Sequence, residues 1–141
     1  MEGNSITQRV RELIEKKDSL FKLFGMKVTE CTAGNSTVTM KVDKTHLNAA
    51  EICHGGTIFS LADVAFALAS NSHGQVALAI DMSISYLRPA KAGDLIKAHC
   101  REQQRGSRIA TYLIKVSDSS DKLVALLKAT SFITESNHFK Q

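Results

Sequence analysis

No two cysteines lie close together in this sequence. Cys31, Cys53 and Cys100 are widely spaced and odd in number, which argues against a CxxC zinc or redox pair and reads as reduced thiols. Proline occurs once, at Pro89, and no linker, repeat or low-complexity segment divides the chain. No apolar run approaches the roughly 18 uncharged residues of a membrane span. The first residues, MEGNSITQRVRELIEKK, carry charges throughout and have no apolar signal core. The expectation is a soluble cytoplasmic protein.

What is present fits one globular domain. With 141 residues at 43% hydrophobic composition, the chain can bury a core without dividing in two. We take residues 1–141 as a single domain, with an N-terminal helical segment over 1–24 and a tail over 135–141 expected to fray. Eighteen basic residues against 14 acidic ones leave a net charge of +4, spread along the chain. That mild excess weakly favours small anions and gives no argument for nucleic acid.

The hydrophobic pattern changes along the chain. Ile6, Val10, Leu13 and Ile14 follow helical spacing, and Ser5 with Gln8 can form a capping box at the start. An apolar patch, LFKLFG, precedes two strands, MKVTEC and STVTMKV, with Gly34 and Asn35 in the turn between them. The stretch from Gly55 to His73 has so little polar face that a helix there should be buried nearly all round. After it, about four strands alternate apolar and polar residues, the first being Leu78 to Tyr86. Helix, two strands, a long helix and four strands, without strand–helix alternation, argue for an α+β fold with an antiparallel sheet around a helix.

One stretch is unusual. HLNAAEICHGGTIFSLAD, residues 46–63, places His54, Gly55 and Gly56 before a run of apolar residues that ends in a carboxylate, Asp63. Asp63 is the one formally charged residue between Glu51 and Asp81.

LNAAEICHGGTIFSLADVAFALASNSHG, followed by DMSISYLRPAKAGD, resembles the acyl-CoA thioesterases of the hot-dog fold, in the phenylacetic-acid-degradation (PaaI-like) branch. The resemblance covers roughly residues 20–134 and rests on the spacing of Asn48, His54-Gly55-Gly56 and Asp63. It implies a long central helix wrapped by a five- or six-stranded antiparallel sheet, with two such units pairing to build the sites and dimers often pairing into a tetramer. It also implies hydrolysis of an acyl-CoA, with phenylacetyl and other aryl or medium-chain groups as candidates, and no metal or bound cofactor. Asp63 is then the catalytic carboxylate, attacking the thioester or activating water. Gly55 offers a backbone N–H to the thioester oxygen, with Asn48 and His54 beside it.

Spacing adds an expectation of its own. Gly55 and Asp63 are separated by about 12 Å along one helix at about 1.5 Å per residue. An oxyanion donor must sit about 3 Å from its oxygen, so one helix does not bracket one carbonyl with both groups. The expectation is a dimer whose sites each take Gly55 from one subunit and Asp63 from the other.

For coenzyme A, the candidate anchors are the basic residues Arg88 and Lys91 in RPAKAG and Arg105 and Arg108 around the RGSR turn, since a guanidinium donates bidentate bonds to phosphate. Gly56 is a further candidate for substrate binding. Some related thioesterases carry a water-positioning serine early in the strand after the helix. Ala79 stands at that position here, leaving Ser83 or Asp81 as substitutes. His54 as a helix cap, Asn48 as a loop staple and Asp63 as a helix-interior acid without a chemical role remain open alternatives. Phe21, Phe24, Phe59 and Phe66 either meet an aromatic acyl group or fill the core. Cys53 beside His54 is a poor nucleophile candidate, since adjacent side chains point apart. His46, His73, His99 and His138 lack ligand spacing. A hydroxyacyl-thioester dehydratase, which needs a histidine paired with an acid, and a non-catalytic acyl-CoA binding protein are the rival readings.

Overall fold

The computed structural model describes the backbone of residues 2–139 and the side chains of residues 6–139. Three helices, α1 (Glu2–Lys17), α2 (Ser19–Leu23) and α3 (Gly55–Asn71), accompany six strands. The strands are β1 (Lys27–Thr32), β2 (Asn35–Lys41), β3 (Gln75–Tyr86), β4 (Leu95–Arg105), β5 (Ile109–Ser117) and β6 (Leu123–Asn137). They form one antiparallel sheet in the order β1-β2-β4-β5-β6-β3. Because α3 crosses the face of this sheet between β2 and β3, β3 arrives at the far edge and pairs with β6 alone. The long central helix and antiparallel sheet expected from the sequence are both present.

Alternation decides which side of each strand meets α3. In β4, Ile96, Ala98 and Cys100 are buried while Leu95, Lys97, His99 and Arg101 face outward. The buried rows close on Leu61, Ala65 and Leu68 of α3, and Phe66 meets Tyr112 edge-on at 5.3 Å. The larger of these side chains, Leu61, Leu68 and Ile96, each contribute about 1.5–3 kcal/mol on burial. Truncating Leu61, which has no exposed surface, to alanine costs about 2–5 kcal/mol.

Polar links tie down the C-terminal end of α3. Ser72 Oγ accepts the Gly34 N–H at 2.8 Å, and Asn71 Oδ1 accepts the Ala77 N–H at 2.9 Å. The helix end is thereby fastened to the β1–β2 turn, where Gly34 has a φ of +76°, and to the start of β3.

Three expectations need correction, and one short element had no counterpart among them. α3 is not buried all round: the stripe of Gly56, Phe59, Ser60, Asp63 and Ala67 stays uncovered or half-covered, because the sheet wraps one side of it. The tail does not fray from residue 135. β6 runs to Asn137, His138 hydrogen-bonds Asn71 at 2.6 Å, and Arg9 stacks over Phe139 at 4.0 Å; residues 140–141 lie outside the described ones. The first helix begins at Glu2, so Ser5 is inside it; its side chain lies outside the described residues, and Gln8 turns to Glu12 instead. A 3-10 turn, Lys44–His46, had no clear signal in the polar segment that holds it. Among the described residues, no helix is long and apolar enough to cross a membrane.

Candidate active site

The site begins with the cap of α3. His54 has extended backbone angles, φ −60° and ψ 134°, and its Nδ1 accepts the Gly56 N–H at 3.0 Å. Its carbonyl accepts the N–H groups of Thr57 at 2.9 Å and Ile58 at 3.2 Å. The first-turn N–H groups of a helix have no intrahelical partner, and His54 takes three of them. The Gly55 N–H alone is left without a partner among the described residues. It sits at the positive end of the helix dipole, where a developing negative charge is favoured.

The loop before the cap is tightly held. His54 donates its own N–H to His46 at 2.7 Å, and Cys53 donates to Ala90 at 2.7 Å. Asn48 Oδ1 accepts from the N–H groups of Ala50 at 2.9 Å and Ile52 at 3.3 Å, an arrangement natural to asparagine in turns. Asn48 is thus a loop staple through its oxygen, while its Nδ2 has no partner among the described residues.

Asn48, Gly55 and Ile58 line a cleft of about 390 Å³ together with Tyr86, Arg88 and Pro89. Tyr86 is the residue that the sequence reading missed. Its hydroxyl donates to the Gly55 carbonyl at 2.9 Å, across 31 positions of chain that no local spacing could bridge. Cys53 also lines the cleft, but burial pushes its thiol up to about 11, so it stays protonated and a poor nucleophile.

Asp63 does not line this cleft. It lies two turns into α3 on the open stripe, and no group among the described residues hydrogen-bonds its carboxylate. Burial, reinforced by the nearby charge of Asp18, raises its pKa above the usual aspartate value. Such a carboxylate is a stronger base than an ordinary surface aspartate. Phe59 shares the open stripe, whereas Phe21 and Phe66 are buried in the core and Phe24 packs against His46 at 5.3 Å.

The remaining candidates are spread out. Arg88 is in the cleft with Gly55. Lys91 is exposed in the following turn, its N–H held by Asp94 at 2.8 Å. Arg105 and Arg108 flank the β4–β5 hairpin, and Arg105 donates to Gln75 at 2.9 Å, just past the C-terminal end of α3. Within one chain they are therefore at the opposite end of the helix from Gly55. The Gly56 N–H is occupied by His54.

Ala79 pairs with Ser131 on the face toward α3, and the Ser131 hydroxyl is buried there without a partner. A bulge at Ile80 then turns Asp81 and Ser83 to the outer face, while Met82 and Ile84 pair with the buried Ala129 and Leu127. Neither Asp81 nor Ser83 therefore stands in for a serine at position 79. Among the described residues no three His, Cys, Asp or Glu side chains gather into a metal-binding group.

Comparison with known proteins identifies the family and the fold. Residues 50–125 match the thioesterase superfamily model. The chain is 38% identical to the acyl-coenzyme A thioesterase PaaI of Escherichia coli K12 over 116 residues, 82% of this chain and 83% of that one. It is 33% identical to human acyl-coenzyme A thioesterase 13 over 131 residues, 86% of this chain and 91% of that one. The solved structure of the Escherichia coli PaaI protein superposes with a TM-score of 0.92 at 33% identity, covering 94% of this chain and 96% of that one. A Streptococcus mutans protein solved with acetyl CoA superposes with a TM-score of 0.77 at 29% identity, covering 79% and 90%. The chain belongs to the thioesterase superfamily, on its PaaI-like hot-dog branch.

Proposed function

We propose that this enzyme hydrolyses the thioester of a small or medium acyl-CoA to the free acid and coenzyme A, at sites shared between two copies of the chain. The observation that carries the reading is the single unpartnered N–H of Gly55 at an otherwise satisfied helix start, opening on the cleft. Attack on a thioester puts negative charge on the carbonyl oxygen, and a preorganised N–H at a helix N-terminus stabilises that charge as it forms. Asp63 either attacks the carbonyl, giving a mixed anhydride that water then hydrolyses to the free acid, or takes a proton from the attacking water. In both cases the carbon–sulfur bond breaks and the sulfur leaves as the coenzyme A thiol, with a proton that comes from water. The Asn48 Nδ2 donates to the water or the thioester oxygen. Phe59, on the open stripe one turn before Asp63, faces the acyl group.

Sharing the site is supported by the absence of Asp63 from the Gly55 cleft and by the free edge of the sheet. β3 is 12 residues long and has no neighbour on its outer side, and it exposes Leu78 and Ile80 by 56% and 57%. A long apolar edge of this kind is a template for pairing with another strand. A second copy placed there brings its own α3 alongside, so that one chain supplies Gly55 and the other Asp63. The names of the Escherichia coli and human relatives and the acetyl CoA bound to the streptococcal structure support the substrate class. A dehydratase would use His54 as an acid or base, whereas here its Nδ1 is engaged in capping α3.

The test is free-thiol release from a panel of acyl-CoAs, acetyl to decanoyl with phenylacetyl and benzoyl, by the wild type and Asp63→Asn. Release by the wild type with loss in the variant is expected. Binding without release would favour an acyl-CoA binding protein, and undiminished release by Asp63→Asn would overturn the mechanism.

A further inference from the structure

We propose that Tyr86 is a positioning residue of the oxyanion site, an inference that rests on the reading of the Gly55 N–H as the oxyanion donor. The peptide between Gly55 and Gly56 is clamped at both ends. Tyr86 donates to its carbonyl oxygen at 2.9 Å, and its N–H donates to His54 Nδ1 at 3.0 Å. A peptide is planar, so holding both its oxygen and its N–H fixes this unit and with it the Gly55 Cα. The Gly55 N–H itself belongs to the preceding His54–Gly55 peptide, whose carbonyl is held by the Thr57 and Ile58 N–H groups, so that the donor lies between two held peptides. Without the clamp, two successive glycines at a helix start would be the loosest backbone in the site.

The ring of Tyr86 explains the glycine as well. A Cβ added at Gly55 would lie 3.0 Å from both the ring carbon that carries the hydroxyl and the hydroxyl oxygen. A larger residue at position 55 would therefore have to displace the Tyr86 ring. The backbone of the anchor is held in the sheet, while the residue itself is 52% exposed. Tyr86 pairs with Ala125 at the end of β3, so the start of α3 is tied to the sheet through one side chain in addition to the loop that precedes it. An oxyanion donor misplaced by a fraction of an ångström loses most of its effect, which gives this contact a kinetic consequence.

A positioning role and a role as a wall for the substrate separate in kinetics. Tyr86→Phe keeps the ring and removes the hydroxyl. It is expected to lower kcat about three- to tenfold, the loss of one hydrogen bond, with KM changed less than about twofold and melting temperature unmoved. Amide exchange at Gly56 should rise about as much in the same variant. Gly55→Ala should lower kcat by a larger factor in the wild type than in a Tyr86→Ala background, where the ring no longer meets the new methyl. A Tyr86→Phe variant with changed KM and unchanged kcat, or with neither kcat nor Gly56 exchange altered, would overturn the proposal. So would a Gly55→Ala effect as large in the Tyr86→Ala background as in the wild type, for the packing half of it. A wild-type protein that releases no thiol from any acyl-CoA would instead overturn the thioesterase reading, and exchange at Gly56 would still decide whether Tyr86 holds the peptide.

Discussion

His54 Nδ1 accepts the Gly56 N–H at 3.0 Å, and that bond determines which donor of α3 is left for a ligand. With Gly56, Thr57 and Ile58 all bonded to His54, the choice falls on Gly55. The role is that of a cap, which asparagine can also fill. His54→Asn is expected to keep activity within about tenfold, while His54→Ala loses about 1 kcal/mol of stability as well as rate. Thermal melts with thiol-release rates check this; an asparagine variant as dead as the alanine one would restore a proton-transfer role for His54.

Proline at position 55 removes the candidate donor without breaking the helix. Proline suits the first helical position, and the ψ of 134° at His54 is the value a residue before proline prefers. Measured against Gly55→Ala, which sets the same Cβ against Tyr86, Gly55→Pro is expected to lower kcat about a further 100-fold or more, with the same circular dichroism in the two variants.

Mixing inactive chains tests the shared site. In a dimer of one Gly55→Pro chain and one Asp63→Ala chain, one of the two sites has both an intact Gly55 and an intact Asp63. Random pairing of equal amounts should recover about a quarter of wild-type activity. Complete absence of recovery in a verified heterodimer would place both groups in the same chain's site.

Asp63 is held half-buried with no hydrogen-bond partner among the described residues, and burial raises its pKa. A folded-state pKa above the unfolded one means that stability is lost as pH rises through the folded value. Asp63→Asn, neutral at every pH, should therefore melt at a higher temperature than the wild type at pH 7. The difference should vanish below the unfolded aspartate pKa, while thiol release falls about 100-fold or more.

Asp18 caps α2 by accepting the Phe21 N–H at 3.0 Å and also raises the pKa of Asp63 through its charge. Asp18→Asn keeps the cap and removes the charge. The acid limb of kcat/KM, which follows ionisation of Asp63, should move to lower pH in this variant, whereas Ser19→Ala should leave it in place.

Arg88 shares the cleft with Gly55, so Arg88→Ala should raise KM for acyl-CoA several-fold, with the effect shrinking as salt is added. A change confined to kcat would remove it from the coenzyme A contacts.

The fold was legible because its period signals are strong. Alternation marked β4, β5 and β6, and the apolar run after Gly56 marked α3 to within two residues of its observed end. Burial of α3 was overread because a helix that leaves Phe59 and Ala67 for a second surface looks, in sequence, like one enclosed on every side. The bulge at Ile80 was not legible, since it changes which residues face α3 without changing their order. Asp81 and Ser83 were kept as substitutes for that reason alone.

The same division runs through the site. Residue types and spacing determined the chemistry on offer: a glycine-led helix start, an isolated acid eight residues on, an asparagine in the loop before it, and too great a separation for one helix to use both groups on one carbonyl. These are local properties of a helix and a loop, and a short stretch of sequence carries them. Only the tertiary structure decided that Gly55 keeps the free N–H, that Tyr86 reaches its carbonyl from β3, that Arg105 lies at the other end of α3, and that Asp18 comes near Asp63. Those relations join residues tens of positions apart through packing of the sheet on the helix, and no periodicity in the chain encodes them.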